Sequence, residues 1–284
     1  MAGWLDEAPD LLDRAAERWK LSPAGYHDAG HASVIATVTT RDGRPLVLKA
    51  WVDPDRYRRE VDALRLWAGG PTASVVEAAD DLAVAALGMV GGHPGGAKPP
   101  RRELQMVAAA LQGLHTLGRR RARSMSFPAL ADHLGREVLP RIDRRAQAVV
   151  AGPWYPLIEA THRALPPLEE DTSRRTVLHA DLYRENVPFG WLGDPRFIDP
   201  LPMLGDPAFD WAFWTVYYDL GRETDRRLAA ATRVSRIPVP VLAPWCRLLA
   251  LDGLLFYLES GDPRAGRMAD VLSTLSPSTT RSRS

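Results

Sequence analysis

The segment VLHADLYRENV at residues 177–187 places one histidine, one aspartate and one asparagine at fixed offsets between two apolar ends. Asp181 lies two residues after His179 and five before Asn186. A further carboxylate, Asp199 in the segment FIDP, follows eighteen residues after Asp181. Such a set can place one carboxylate at a hydroxyl group, and an amide with a second carboxylate on magnesium, which prefers a few hard oxygen ligands together with phosphates. The spacing therefore indicates phosphoryl-transfer chemistry.

Asparagine and lysine are scarce in this chain, so their positions are informative. Asn186 is the only asparagine, and lysine occurs only at positions 20, 49 and 98. Lys49 ends the apolar stretch RPLVLKAW, and Glu60 follows in the next predicted helix, where its carboxylate can reach the ammonium. A buried lysine needs such a partner, because an unpaired charge in an apolar setting costs several kcal/mol. Alone, Lys49 would be a strand-end lysine with its head in solvent; with Glu60, Asp181, Asn186 and Asp199 also present, a role in holding nucleotide phosphates is favoured.

The composition is that of a globular protein without a membrane span. The chain has 284 residues, is 45% hydrophobic and 25% charged, and carries a formal net charge of +1. This length allows one large domain or two lobes. No apolar run reaches the roughly 18 residues that a span needs, and the N-terminus lacks the basic-then-apolar order of a signal peptide. We therefore expect a cytoplasmic protein with no membrane partner.

The near-zero net charge argues against a nucleic-acid partner. The one dense basic run, GRRRAR at 118–123, has no interleaved aromatic residues, so a solvated turn is favoured over a nucleic-acid patch. Cys246, the single cysteine, lies in an apolar stretch and has no disulfide partner. It indicates core packing and a reducing compartment.

The first ninety residues are predicted to combine strands with helices. Apolar residues recur at helical spacing over 5–20. The segment HASVIATVTTRDGRPLVLKAWV predicts a β-hairpin with RDGRP as its turn. A helix is expected in DPDRYRREVDALRLWAGG, which opens with Asp-Pro and closes with Gly-Gly. SVVEAADDLAVAALGMV then predicts two short strands around an Asp-Asp turn.

The stretch GGHPGGAKPP at 91–100 is the best boundary in the chain, because clustered Gly and Pro continue neither a strand nor a helix. The predicted organisation has four parts: an N-terminal nucleotide-binding lobe with a leading helix at 1–90, a linker at 91–100, a helical C-terminal lobe at 101–275 and a disordered tail at 276–284. Helices are expected at about 101–118, 128–143, 154–165 and 205–275. The segment opening at 177 and FIDP are expected to interrupt this helical half as short strands.

The order of these features resembles the aminoglycoside phosphotransferase family of bacterial antibiotic kinases. The features are the strand lysine, the helix glutamate, the Gly-rich connector and the segments HADLYREN, FIDP and GDPAFDWAFW. The resemblance spans about 25 to 220 and is most specific in its C-terminal half. It implies an α+β, two-lobed protein-kinase-like fold, with a small β-rich N-terminal lobe and a larger, mostly helical C-terminal lobe.

Carried over by position, the resemblance assigns the chemistry to five residues. Asp181 is then the catalytic base that accepts the proton of the acceptor hydroxyl. Asn186 and Asp199 hold Mg²⁺. Lys49 and Glu60 position ATP, with GTP as the alternative nucleotide.

The resemblance also assigns residues that support the catalytic loop. His179 braces the loop, and Asp210 hydrogen-bonds the loop backbone. Many family members have glycine where this chain has Ala180, a small change that leaves the base undisturbed.

Further nucleotide contacts are expected on two segments. PAGYHDAGHASV takes the place of the phosphate-covering loop and has no GxGxxG pattern, so Gly30 and Ser33 are assigned to the phosphates. Met89 marks the hinge whose backbone contacts adenine. His27 and His31 are four residues apart and would be candidate metal ligands, but on a turn-to-strand segment they share no helical face, and surface histidines are favoured.

The acceptor site is expected to be acidic and aromatic. Asp206, Asp219 and Glu223 would attract a polycationic substrate, and Trp214 offers a surface for stacking. The alternatives are a helix N-cap for Asp206 and core packing for the aromatic residues.

Together these features predict an ATP- and Mg²⁺-dependent kinase that phosphorylates a hydroxyl of a basic antibiotic and so confers resistance. The acceptor would be an aminoglycoside such as streptomycin, or a cyclic peptide such as viomycin or capreomycin. Two alternatives stay open: a kinase of a small metabolite such as a sugar, choline or homoserine, and an inactive kinase-like binding module. The expected partner is a small cationic molecule, and the expected state is a monomer or homodimer.

Overall fold

A computed structural model describes residues 2–30, 33–121, 126–165, 168 and 170–276. Its strands are β1 Ser22–Gly30, β2 Ser33–Thr39, β3 Pro45–Trp51, β4 Val75–Ala79, β5 Val84–Gly88, β6 Thr176–Leu178 and β7 Met203–Gly205. Its main helices are α1 Ala2–Trp19, α2 Pro54–Leu66, α3 Glu103–Arg121, α4 Leu130–His133, α5 Leu139–Ala148, α6 Tyr155–Ala164, α7 Ala208–Tyr217, α8 Thr224–Ser235, α9 Val239–Glu259 and α10 Ala265–Leu275. Of the predicted tail, only residue 276 is among the described residues.

The chain forms two compact units. The first consists of Met1–Phe127 with Glu185–Pro202, and the second consists of Pro128–Arg184 with Met203–Ser284. The first unit contains the β1–β5 sheet, and the second is mostly helical.

These boundaries differ from the predicted ones, because the Gly/Pro-rich stretch 91–100 and α3 both belong to the first unit. The amide of Ala97 donates to the carbonyl oxygen of Phe189 at 2.7 Å. At the end of α3, the guanidinium of Arg121 donates to the carbonyl oxygen of Leu66 at 2.8 Å. Hydrogen bonds with residues distant in sequence thus attach both segments to the first unit.

The sheet of the first unit is antiparallel with the order β1-β2-β3-β5-β4. The predicted hairpin is confirmed as β2 and β3, and its turn closes where the amide of Thr40 donates to the carbonyl oxygen of Arg44 at 3.0 Å. The predicted strands around the Asp-Asp turn are confirmed as β4 and β5. The segment preceding the hairpin, expected to be a loop, instead forms β1, because pairing with β2 satisfies its backbone although its sequence lacks apolar alternation.

The side chains of β3 point alternately to the two faces of the sheet, and a separate hydrophobic core packs on each face. Leu46, Leu48 and Ala50 pack on one face, with α1. Trp51 packs on the opposite face with the apolar side of α2, including Tyr57. Helix α1 confirms the predicted helix at 5–20, and α2 begins as its Asp-Pro signal predicted.

In the second unit, α9 is the central helix and packs against α5, α7 and α10. Of the described helices, α9 is long and apolar enough to cross a membrane, but most of it is buried, as in the core helix of a soluble protein. Cys246 lies within it and is fully buried, which confirms the prediction of core packing. Helix α6 and the four helices from α7 onward confirm the predictions for 154–165 and 205–275. The predicted 128–143 helix extends to Ala148 and contains a π-helical turn, Leu134–Val138.

The prediction of a strand at FIDP was wrong. Phe197 forms only an isolated parallel bridge with Thr72. The pairing does not continue because Asp199 has a left-handed backbone with φ of 56° and Pro200 has no amide hydrogen. The strand predicted at 177 is confirmed as β6, which pairs with β7.

Candidate active site

Lys49 is the centre of a buried charge cluster in the first unit. Its Nζ donates to Oε1 of Glu60 at 2.7 Å and to Oδ1 of Asp199 at 2.9 Å. The side chains of Lys49 and Glu60 are only 2% and 0% exposed, whereas that of Asp199 is 32% exposed. Burial alone lowers the pKa of a lysine, but attraction by the two carboxylates outweighs it and raises the pKa of Lys49. The ammonium is therefore held charged beside one buried and one accessible carboxylate.

Local structure explains why Lys49 meets Glu60. Lys49 shares the inward face of β3 with Trp51, two residues further on. Glu60 lies on the buried side of α2, whose start is fixed where Asp53 caps the amide of Asp55 at 2.8 Å. The strand and the following helix therefore direct the two charges toward each other.

Asn186 and Asp199 also belong to the first unit. Asn186 ends the short 3₁₀ turn Arg184–Asn186, and its carbonyl oxygen accepts the amide of Ile198 at 3.0 Å. This hydrogen bond places Asn186 next to the residue that precedes Asp199. Within the described part of the chain, no cluster of three or more His, Cys, Asp or Glu side chains is arranged for a metal. One carboxylate and one amide fit Mg²⁺, which keeps waters and phosphates as its other ligands.

A cavity of about 380 Å³ adjoins Lys49 and Asp199. Its volume lies within the range of roughly 300–1,000 Å³ that is usual for small-molecule and cofactor sites. Its apolar wall includes Ile35, Val47, Leu87, Met89 and Ile198. An apolar wall with a few charged groups is typical of a site for a planar base bearing phosphates. Met89, predicted as the hinge, therefore lies on the same cavity as the charge cluster.

The connector after Met89 depends on glycine where backbones approach closely. Gly91 has φ of 65°, and a Cβ at this position would lie 2.7 Å from the amide nitrogen of Ala97. Gly96 has φ of 72°, and a Cβ at this position would lie 2.8 Å from the backbone of Phe189. These glycines let the connector fold back on itself, and Gly96 also lines the cavity.

The segment predicted to cover the phosphates lies partly outside the described residues. Gly30, the last residue of β1, pairs with Ser33, the first residue of β2. Ser33 is buried and lies opposite Trp51 of β3 in the strand register. Residues 31–32 between them, including His31, lie outside the described residues, as does the side chain of His27.

The loop of the second unit that carries Asp181, the predicted catalytic base, is held by Asp210. This carboxylate is fully buried and accepts the amides of His179 and Ala180, each at 2.8 Å. The amide of Asp181 in turn donates to Nδ1 of His179 at 3.3 Å. Ala180 has φ of 59°, a conformation that alanine rarely adopts, and the paired hydrogen bonds from Asp210 hold it there.

The acceptor-site prediction requires correction at two residues. Trp214 is fully buried and packs edge to face with Trp211, so it has no surface on which a substrate could stack. Asp206 is also fully buried, and its carboxylate is occupied by Arg174 at 2.6 Å and by the amide of Asp171 at 3.0 Å. It additionally accepts the amide of Ala208 at 2.9 Å, the alternative helix-start role foreseen for it.

The other two acceptor candidates keep some exposure. Asp219 is half-buried, and its backbone carbonyl accepts a hydrogen bond from Arg227 at 3.0 Å. Glu223 is exposed and forms an ion pair with Arg226. Of the four predicted acceptor residues, Asp219 and Glu223 are thus the two that are not buried.

Sequence patterns did not reveal two contacts of the cluster. Trp51 donates its indole N–H to Oε2 of Glu60 at 2.7 Å; its position two residues after Lys49, on the same face of β3, was the available signal. The contact of Lys49 with Asp199 joins residues 150 positions apart and has no local signature.

The β-rich first unit and the mostly helical second unit define a class of protein, those with the protein-kinase-like fold. The structure is similar to a macrolide 2′-phosphotransferase from Brachybacterium faecium, with a TM-score of 0.60, 19% identity and coverage of 94% of this chain and 98% of that one. It is also similar to the amicoumacin kinase hAmiN in complex with AMP-PNP, Ca²⁺ and Ami, with a TM-score of 0.62, 12% identity and coverage of 98% and 97%. The predicted fold class is confirmed.

Residues 18–243 match the model of the aminoglycoside/hydroxyurea antibiotic resistance kinases, and the chain belongs to this family. A streptomycin 6-kinase from Streptomyces glaucescens is 26% identical over 291 residues, which cover 95% of this chain and 90% of that protein. The family resemblance predicted from sequence is therefore confirmed. The protein is an enzyme, a kinase with an alcohol group as acceptor.

Proposed function

We propose that this kinase transfers the γ-phosphoryl group of ATP, with Mg²⁺, to a hydroxyl of a basic antibiotic, and that streptomycin is the first acceptor to test. The observation that carries the proposal is the ammonium of Lys49, buried between Glu60 and Asp199 beside a largely apolar cavity. A structural lysine would not need an accessible second carboxylate in such a place. The family match supports the antibiotic as substrate class, and the named relative supports streptomycin.

In this proposal the first unit binds the nucleotide. Lys49 neutralises the α- and β-phosphates, and Glu60 keeps its ammonium in place. Met89 contributes the hinge contact to the base, and Gly30 and Ser33 approach the phosphates. The AMP-PNP named with the amicoumacin kinase supports ATP, and GTP is the alternative.

Asp199 and Asn186 would hold the magnesium ion. Bound there, Mg²⁺ would neutralise charge that develops on the transferred phosphoryl group. This part of the proposal is supported by the 3.0 Å hydrogen bond from the amide of Ile198 to the carbonyl oxygen of Asn186, which joins the two backbone segments. The exposure of Asp199 leaves it accessible to such a ligand.

Asp181 orients the acceptor hydroxyl and accepts its proton. His179 and Asp210 act on Asp181 through the loop backbone and do not touch the substrate. Because most of the work is positioning and charge stabilisation, the rigidity of this loop contributes directly to the rate.

The acceptor is proposed to be cationic. Asp219 and Glu223 are the remaining acidic candidates for attracting it. Viomycin and capreomycin, which are also basic, are the second acceptors to test. We further propose that the enzyme acts in the cytoplasm as a monomer or homodimer, without a membrane or nucleic-acid partner.

A coupled assay of ADP release tests this proposal. The purified protein is incubated with Mg²⁺ and ATP or GTP, against streptomycin, kanamycin, viomycin, capreomycin, choline, homoserine and simple sugars. We expect turnover stimulated by streptomycin and dependent on Mg²⁺. Stimulation by choline, homoserine or a sugar alone would support the metabolite-kinase alternative, and nucleotide binding without turnover on any acceptor would support a binding module.

A further inference from the structure

We infer that Trp51 is a positioning residue of the nucleotide site, which locks the Lys49–Glu60 pair and with it helix α2. This inference rests on the proposed role of Lys49 in nucleotide binding. The indole N–H of Trp51 donates to Oε2 of Glu60 at 2.7 Å, while Oε1 of the same carboxylate accepts Lys49 at 2.7 Å. Both oxygens of a fully buried carboxylate are therefore occupied by donors on one strand.

Trp51 also contacts the lysine directly. The Nζ of Lys49 lies 4.8 Å from the centroid of the indole ring, within the range of a cation–π interaction, which is strongest with tryptophan. The three side chains form a closed unit in which each contacts the other two. The ammonium can leave this position only by giving up a carboxylate and an aromatic face together.

The unit is anchored to the fold behind it. Trp51 packs edge to face on Tyr57, with ring centroids 5.3 Å apart, and Tyr57 donates its hydroxyl to Oδ1 of Asp80 at 2.8 Å. Tyr57 and Glu60 lie on α2, whereas Trp51 lies on β3 and Asp80 in the turn after β4. The buried hydrogen bond from Trp51 to Glu60 thus attaches α2 to β3, and the more exposed one from Tyr57 to Asp80 attaches α2 to the turn after β4.

A buried carboxylate oxygen without a donor loses its hydrogen bond and gains no water in exchange. Loss of the indole donor would consequently favour movement of Glu60 away from its present position. The ammonium of Lys49 would move with the carboxylate of Glu60, to which it is bonded. The consequence would be weaker nucleotide binding. Trp51 would thereby affect the affinity for nucleotide without touching it.

The test compares Trp51→Phe with Tyr57→Phe. The first variant removes the donor to Glu60 and keeps an aromatic ring; the second removes the neighbouring donor to Asp80 and leaves the Glu60 contacts intact. We expect Trp51→Phe to raise the Kd for ATP, measured by calorimetry, and its KM roughly tenfold, the effect of losing one charge-assisted hydrogen bond. The KM for the antibiotic should not change, and Tyr57→Phe should leave both nucleotide constants near their wild-type values.

An equal effect of both variants on nucleotide binding, or no effect of either, would overturn the inference. If Trp51→Phe does not fold, a tryptophan isostere with sulfur in place of the indole N–H, incorporated at position 51, removes the donor with the shape retained and the same outcome expected. Wild type and Lys49→Met are measured alongside. If wild type does not bind ATP, or Lys49→Met binds it equally well, the proposed function fails; if these two behave as proposed and only the Trp51 variants are silent, the inference alone fails.

Discussion

The Nζ of Lys49 lies 2.7 Å from Oε1 of Glu60, and neither side chain is more than 2% exposed. A pair of this kind is sensitive to loss of one member, because the other is left as an uncompensated buried charge. Burial raises the pKa of the Glu60 carboxyl, and the donors on β3 oppose this shift.

Replacement of Lys49 by methionine should therefore affect both stability and nucleotide binding. We expect Lys49→Met to lower the free energy of unfolding by about 3–5 kcal/mol, the usual cost of breaking a buried ion pair. The double variant Lys49→Met/Glu60→Gln should recover part of that loss, since no lone charge stays buried, but it should not recover turnover. Denaturant titration and the ADP-release assay measure the two effects. Equal stability of the single and double variants would argue against an energetically coupled pair.

Asp210 accepts two hydrogen bonds from the loop backbone, so we expect its replacement to change the reaction rate and not substrate binding. Asp210→Asn replaces one acceptor oxygen with an amide donor, so one buried N–H loses its partner. We expect a loss of about 1–3 kcal/mol in stability and a lower kcat, with the KM for both substrates nearly unchanged.

The matched control is Asp206→Asn, since Asp206 is an equally buried aspartate at the start of the same helix. It should reduce stability without lowering the kcat of the folded enzyme. A similar fall in kcat for both variants would mean that Asp210 has only a general structural role.

Ala180 has a backbone conformation that favours glycine, with φ of 59°. Ala180→Gly relieves a left-handed strain of about 1–2 kcal/mol, but the unfolded chain gains flexibility worth about 0.4–1 kcal/mol. We therefore expect a net stabilisation of about 0–1.6 kcal/mol. Ala180→Val should instead be destabilised and slow, because a β-branched residue is poorly tolerated at positive φ. Thermal unfolding and kcat provide the measurement, and wild-type behaviour of the valine variant would contradict it.

Cys246 should be unreactive in the folded protein. Burial raises the pKa of its thiol from 9.0 to about 12, so it is protonated at neutral pH as well as inaccessible. A thiol reagent should label the folded enzyme at pH 8 far more slowly than the enzyme in denaturant. Above pH 9 the unfolded chain loses this proton before the folded one does, so the thiol's contribution to stability falls as pH rises toward 12. A serine variant provides the comparison, and fast labelling of native enzyme would contradict the buried position.

Local patterns could predict one half of the charge cluster around Lys49. Lys49 and Glu60 belong to consecutive elements, so strand alternation and helical periodicity suffice to bring them together. The contact of Lys49 with Asp199 could not be predicted from local spacing, because it depends on how residues 150 positions apart are folded into one unit. Only the family resemblance connected them.

The predictions of Trp214 and Asp206 as acceptor-binding residues failed because both residue types can lie on a surface or be buried. Helix α7 is apolar along most of its length, which is typical of a buried helix, and this pattern was a better guide to Trp214 than its stacking ability. Asp206 is buried because Arg174 neutralises it, a pairing that no spacing rule indicates. The strand expected at FIDP failed for a similar reason, since the backbone of Asp199 turns away after a single bridge.

The most direct test is mass spectrometry of streptomycin after incubation with the enzyme, Mg²⁺ and ATP, with Asp181→Ala in parallel. We predict that wild type adds one phosphoryl group to the antibiotic. Asp181→Ala should be folded, should bind ATP as wild type does, and should give no phosphorylated product. Phosphorylation by Asp181→Ala at near the wild-type rate would contradict the assignment of the base, and the absence of phosphorylated product from wild type with streptomycin, viomycin and capreomycin alike would contradict the proposed acceptor class.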